Sequence, residues 1–333
     1  MKVVSTLYYL FIIFQLFSWK SNAKQCNKNT KFAPNQVVYT ITVSQSRNGD
    51  FNKIQQAIDS IPSGNDRWIR IYVNPGRYWE KVTIPYDKEC IVLEGHSPID
   101  TAILYNGNHE FDRTSSTFIS SADNFVAKKI SFKNVYNNDE NGKIRRNKSI
   151  KPAVAASVYG DKSAFYNCIF IGYQDTLWDV SGRHYFKSCL IKGAVDFIWG
   201  NGQSYFEDCR INVCGDGFIT AQGRTSAEDT SGFVFNGGFV YGSGQAFLGR
   251  AYKPYSRVIY QNTHFSHVVH PLGWDNWNVA LENQITYAEV NCKGVGAKKD
   301  GRVPWEKTLD ESQLSKYTRQ SFVDQEGWIN QQP

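Results

Sequence analysis

Residues 164–170 (AFYNCIF), 184–191 (HYFKSCLI) and 204–211 (SYFEDCRI) share one pattern, Phe-x-x-Cys inside a short β-prone run. The cysteines of the three copies, Cys168, Cys189 and Cys209, lie 21 and 20 residues apart. Weaker echoes occur at 126–132, 233–239 and 258–265. A unit this short cannot bury its own apolar face. Units repeated every 20 to 30 residues can cover one another as stacked coils. The pattern predicts an all-β fold, a single-stranded right-handed parallel β-helix, with an antiparallel sandwich as the competing architecture. The aligned cysteines read either as small apolar residues stacked inside the coil, the preferred reading, or as a Cys168–Cys189 bridge.

The same period gives meaning to the stretch between the copies, residues 172–200 (GYQDTLWDVSGRHYFKSCLIKGAVDFIWG). Asp175 and Asp196 are 21 residues apart within it, so stacking would set them side by side on neighbouring coils. Two adjacent carboxylates resist ionising together. One then keeps a proton and serves as an acid, and the other serves as a base or nucleophile. Arg250 is the candidate cation to hold the second charged, and the Gln174 amide is a candidate donor to a developing oxyanion. The bland alternative makes both aspartates solvent-facing turn residues next to glycine.

Upstream, Asn52 and Gln55 predict the cap of a short helix whose face is Ile54, Ala57, Ile58 and Ile61. Such a helix suits the open end of a coil. Residues 136–151 lack apolar periodicity and read as a long polar loop, whose basic run Lys143-Ile144-Arg145-Arg146 is either a guide for an acidic polymer or a solvated face. Residues 309–322 predict a helix packed on the outside of the coil, part of a helical and irregular C-terminal tail.

Residues 1–23 read as a secretory signal, with Lys2, an apolar run over 7–17 and the small residues Ser21-Asn22-Ala23. The run is shorter than the ~20 residues that span a bilayer, so no membrane anchor is expected. Residues 24–333 are then one exported domain. Removing Lys2 and Lys20 lowers the formal charge from +6 to +4. That is compatible with an acidic polysaccharide and gives no reason to expect nucleic acid. All seven cysteines follow residue 23, and an odd count leaves at least one unpaired within the chain. Asn147-Lys148-Ser149 is the glycosylation sequon. His264, His267 and His270 recur every third residue, but strand alternation turns His267 away from the other two, so no shared metal is expected.

Four motifs in order carry a resemblance. Gly76-Arg77-Tyr78-Trp79-Glu80, Gly172-Tyr173-Gln174-Asp175-Thr176-Leu177, Asp196-Phe197-Ile198-Trp199-Gly200 and Leu248-Gly249-Arg250 stand ahead of Gly273-Trp274 and Trp277. Together they resemble the plant pectinesterases (pectin methylesterases). The resemblance implies an aspartyl esterase acting on the C6 methyl esters of galacturonate in pectin (homogalacturonan), without metal or organic cofactor. It assigns Asp196 as nucleophile, Asp175 as proton donor and then base, Gln174 as oxyanion donor and Arg250 as the residue positioning the nucleophile. Tyr252, Trp274 and Trp199 are the implied sugar-stacking residues. It also implies an extracellular, cell-wall monomer, a proteinaceous pectinesterase inhibitor as a second partner, and a form without an inhibitor-like pro-region.

One departure matters. Where the family motif Gln-Ala-Val-Ala-Leu-Arg supplies a second oxyanion donor, this chain reads Pro152-Ala153-Val154-Ala155-Ala156-Ser157. Proline has neither a side-chain amide nor a backbone N–H. The proline therefore sets a pectin-binding protein with weak or no catalysis beside the esterase; a third and lesser reading is a β-helix glycosidase using the aspartates as acid and base.

Overall fold

The computed structural model describes residues 23–28, 30–46, 48–108, 115–145, 149–277 and 281–333. The signal segment, apart from Ala23, and Asn147 lie outside them. The chain winds into a parallel β-helix in which, among the described residues, all strand-to-strand ladders are parallel. One face is a ten-stranded sheet whose rungs include Ser163–Tyr166, Arg183–Lys187, Gln203–Glu207, Gly232–Asn236 and Arg257–Gln261. The other two faces are joined into a fourteen-stranded sheet by the long strands Leu190–Gly200 and Arg210–Gln222, which bend through both.

The sequence repeat is the register of the coil. Phe165 pairs with Phe186, Phe186 with Phe206, Phe206 with Phe235 and Phe235 with Tyr260. Their rings stack inside the coil at centroid distances of 4.8, 4.6, 4.5 and 4.4 Å. Each such pair contributes roughly 0.5–1.5 kcal/mol beyond the area it buries. The next corner turns on a single left-handed residue: Lys129, Asn167, Ser188, Asp208, Asn262 and Asn291 all have φ between 51° and 54°. Asn and Asp tolerate this region because their short polar side chains bond locally. Cys168, Cys189 and Cys209 follow that residue, are buried and carry free thiols. The disulfide joins Cys26 to Cys90, a pairing the spacing did not indicate.

The predicted helix forms as Ile54–Ser60 with Ile54, Ala57 and Ile58 buried. Its cap is not Asn52. The Glu80 carboxylate accepts from the backbone N–H of Ile54 (2.9 Å) and Gln55 (3.0 Å), closing the helix from 25 residues downstream. Capping by a remote carboxylate satisfies the same orphan donors and suits the helix dipole. The tail forms two short helices, Glu311–Ser315 and Arg319–Phe322, where one was predicted, because Thr318 caps a second start. Phe322, Val323, Trp328 and Ile329 pack on Ala164, Tyr185, Tyr205, Val234, Ile259 and Ala288, the outer side of the ten-stranded face. Among the described residues no helix is long and apolar enough to cross a membrane.

Candidate active site

In the rungs that carry the aspartates, Gln174 bridges Val195, Leu177 pairs with Ile198 and Trp178 with Trp199. That offset is 21 residues, the separation of Asp175 and Asp196. The two carboxylates therefore occupy equivalent positions on adjacent coils. The Asp175 N–H donates to the Val195 carbonyl at 3.0 Å, directly beside Asp196. Asp196 lies where the register of its strand slips, between Val195 and Ile198. Such irregularities re-aim a side chain that a regular ladder would hold flat. Both aspartates also adopt left-handed backbone, with φ of 61° and 47°. Strain of this kind persists only where the surrounding structure imposes it.

Arg250, on the strand Ala246–Ala251, reaches Asp196 with both edges of its fork. Its Nε donates to Oδ1 at 2.8 Å, and Nη2 donates to Oδ2. The guanidinium is packed against the Phe218 ring, 4.3 Å from its centroid, and the Trp277 ring, at 3.7 Å. These faces attract the cation and fix the plane of the fork.

The two acids are in unequal environments. Burial, then the neighbouring Asp196 charge, push the Asp175 carboxyl up to about 8, with Arg250 opposing them. Burial also raises Asp196, but there the opposing effect is a direct hydrogen-bonded pair with Arg250. At neutral pH the arrangement is a protonated carboxylic acid beside an arginine-clamped carboxylate. That is the pairing needed to give a proton to one group while attacking another.

Gln174 is half-buried next to Asp175, and its side-chain amide makes no hydrogen bond among the described residues. Pro152 lies on the preceding coil, since Ala153 N–H donates to the Gln174 carbonyl at 3.1 Å. The Asn137 side chain holds Lys151 just before it, accepting from its N–H at 3.1 Å and donating to its carbonyl at 2.7 Å. The proline thus stands beside the site with no donor to offer.

Of the three proposed sugar-stacking residues, two line this surface. Tyr252 is 40% exposed, and Trp199 is half-buried between Trp178, stacked at 4.6 Å, and the Tyr252 edge at 6.4 Å. Trp274 is not a platform: it is 1% exposed and stacks on Tyr287 inside the coil. It falls in the inward-facing register position after Thr220 and Gly249. Trp277, three residues on, presents its ring to the Arg250 guanidinium instead. Phe218 and Trp178 were also missed. The register that places them is legible only after the coil lengths are known.

The comparisons agree with this geometry. The pectinesterase family model matches residues 40–326. "Probable pectinesterase 55" of Arabidopsis thaliana is 48% identical over 303 residues, covering 89% of this chain and 91% of that protein. Among solved structures, the pectin methylesterase from carrot has a TM-score of 0.78 at 28% identity, covering 87% of this chain and 94% of its own. The pectin methylesterase from Aspergillus niger has a TM-score of 0.76 at 26% identity, covering 91% and 99%. With the repeat, the paired aspartates and the arginine clamp all in place, the chain belongs to the pectinesterase family.

Proposed function

We propose that this chain hydrolyses the methyl esters of galacturonate in pectin, releasing methanol and leaving pectate, as an exported cell-wall enzyme. The observation that carries the mechanism is the register-matched pair Asp175 and Asp196 with Arg250 clamped to one of them. Asp196, kept charged by Arg250, attacks the ester carbonyl. Charge develops on the carbonyl oxygen, and the Gln174 amide donates to it. As the C–O bond breaks, Asp175 gives its proton to the departing methoxide, and the sugar acyl group is left on Asp196 as an anhydride. Asp175, now a carboxylate, takes a proton from water. The hydroxide equivalent opens the anhydride, and both aspartates return to their starting states.

The proline at position 152 removes one donor from this scheme, which typically costs ~2.7–4 kcal/mol of barrier. The reading is therefore of a slow esterase, with pectin as its partner. It is also read as a monomer and a target for a proteinaceous pectinesterase inhibitor. Methanol release from methylated pectin, without new reducing ends, is the expected result. New reducing ends would instead make the chain a glycosidase. Binding of pectin with neither product would make it a lectin-like relative.

A further inference from the structure

A second line of rings leaves the reaction centre along the coil axis. Val195 pairs with Phe218, Phe218 with Phe247, and the bridge from Ala246 to Val269 sets His270 beside Phe247. Phe218 and Phe247 stack at 5.2 Å, and Phe247 and His270 at 4.1 Å. All three are half-buried, neither sealed in the core nor free in solvent. The first ring carries the Arg250 guanidinium, so the ladder starts at the proposed chemistry. With rungs about 4.8 Å apart, it ends roughly 14 Å from the Asp196 rung.

The last ring has a polar edge of defined character. Leu272 N–H donates to His270 Nδ1 at 3.2 Å, which makes Nδ1 an acceptor and leaves the proton of the neutral ring on Nε2. Among the described residues Nε2–H has no partner. The backbone around it is pinned: His270 N–H donates to the Ala246 carbonyl and Gly273 N–H donates to the His270 carbonyl, both at 2.8 Å. The nearby Arg302 guanidinium lends positive potential, donating to the Pro271 carbonyl at 2.9 Å, and its fork is engaged by Glu289. No carboxylate lies within ion-pair distance of His270 among the described residues.

We propose that Phe247 and His270 form a distal subsite that selects an already de-esterified galacturonate unit. The sugar packs against the outer edges of the stacked rings, whose faces cover one another, and its carboxylate accepts from His270 Nε2–H. A hydrogen bond to a charged acceptor is about twice as strong as one to a neutral ester carbonyl, so the subsite discriminates acid from methyl ester. The inference rests on the esterase reading for its substrate class. It makes the enzyme favour an ester a few units from an earlier cut.

The test is calorimetric binding of two galacturonate hexamers, one fully de-esterified and one fully methylated, to the full-length protein. His270→Ala should weaken the de-esterified hexamer about tenfold and the methylated one several-fold less. His270→Gln, which keeps a donor, should recover most of the difference. An equal loss for both ligands, or none for either in a His270→Ala variant with an unchanged circular dichroism spectrum, overturns the subsite. Selective loss of the de-esterified hexamer in a protein that releases no methanol would uphold the subsite and refute the esterase reading. Normal methanol release with His270-independent binding would do the reverse.

Discussion

Keeping a proton on Asp175 has a thermodynamic consequence that can be measured apart from catalysis. Its carboxyl, ordinarily near 3.8, is held at about 8 in the folded protein. Between those values the folded chain binds a proton that the unfolded chain has released. Stability from this group is therefore full below pH 4 and falls as pH rises toward 8. From pH 4 to pH 7 the three pH units, at ~1.36 kcal/mol each, amount to a loss on the order of 4 kcal/mol. Asp175→Asn keeps the shape of the protonated acid and cannot ionise. The variant should match the parent at pH 4 and exceed it by up to about that amount at pH 7. Urea denaturation of both proteins at pH 4, 5.5 and 7 isolates the term, because every other titrating group is common to the two. The same variant should lose methanol release by roughly 10²–10⁴-fold, the usual worth of a positioned acid. A stability difference that does not change with pH would show that Asp175 ionises normally, and the assignment of acid and nucleophile would fail with it.

Arg250→Gln leaves the buried Asp196 carboxylate without its partner, a change that typically costs about 3–5 kcal/mol of folding stability; kcat/KM for methanol release should also fall by more than about tenfold, because the nucleophile is no longer held charged. A loss under tenfold would mean that something else keeps Asp196 charged. Pro152→Gln restores an amide beside Gln174 and should raise kcat by up to about a hundred- to thousandfold, with little change in KM; an unchanged kcat would show the second donor to be dispensable here. Asp196→Ala should abolish methanol release while circular dichroism stays that of the parent, and ordinary turnover would remove the nucleophile from the scheme. Replacing Cys26 and Cys90 by serine opens a cross-link spanning 64 residues and should lower unfolding free energy by about 4 kcal/mol in the chain-entropy model, read as a lower urea midpoint.

The architecture was legible because three consecutive coils are nearly equal in length. Cys168, Cys189 and Cys209 mark them, and the aspartate spacing is the same number. Elsewhere the period stretches. Ile91 pairs with Phe125, 34 residues on, and Val126 with Ala164, 38 on. Those coils leave only faint echoes in the sequence. The helix cap was misread for a related reason: Asn52 satisfies a local rule, but Glu80 arrives from another coil and outcompetes it. Glu80 closes the first of the four motifs, which gives that motif a structural role alongside Tyr78, buried with its hydroxyl on the Asn74 carbonyl at 3.0 Å. Trp274 failed as a platform because an aromatic residue in a motif does not say which way its rung faces. Asp175 and Asp196 share a face because their separation equals the offset of the coil, while Arg250 comes from two coils on, at an offset the repeat does not show.

The uneven coil lengths also sort the chain by how it can tolerate change. Where a coil runs to 34 or 38 residues, the rungs on either side of the extra length still pair in register. Between Asp175 and Asp196 there is no such slack. One residue more or fewer inside the strand that carries the second aspartate would turn it off the face occupied by the first. Length variation is therefore easiest in those long coils, while the offset between the two acids is counted out by the backbone itself.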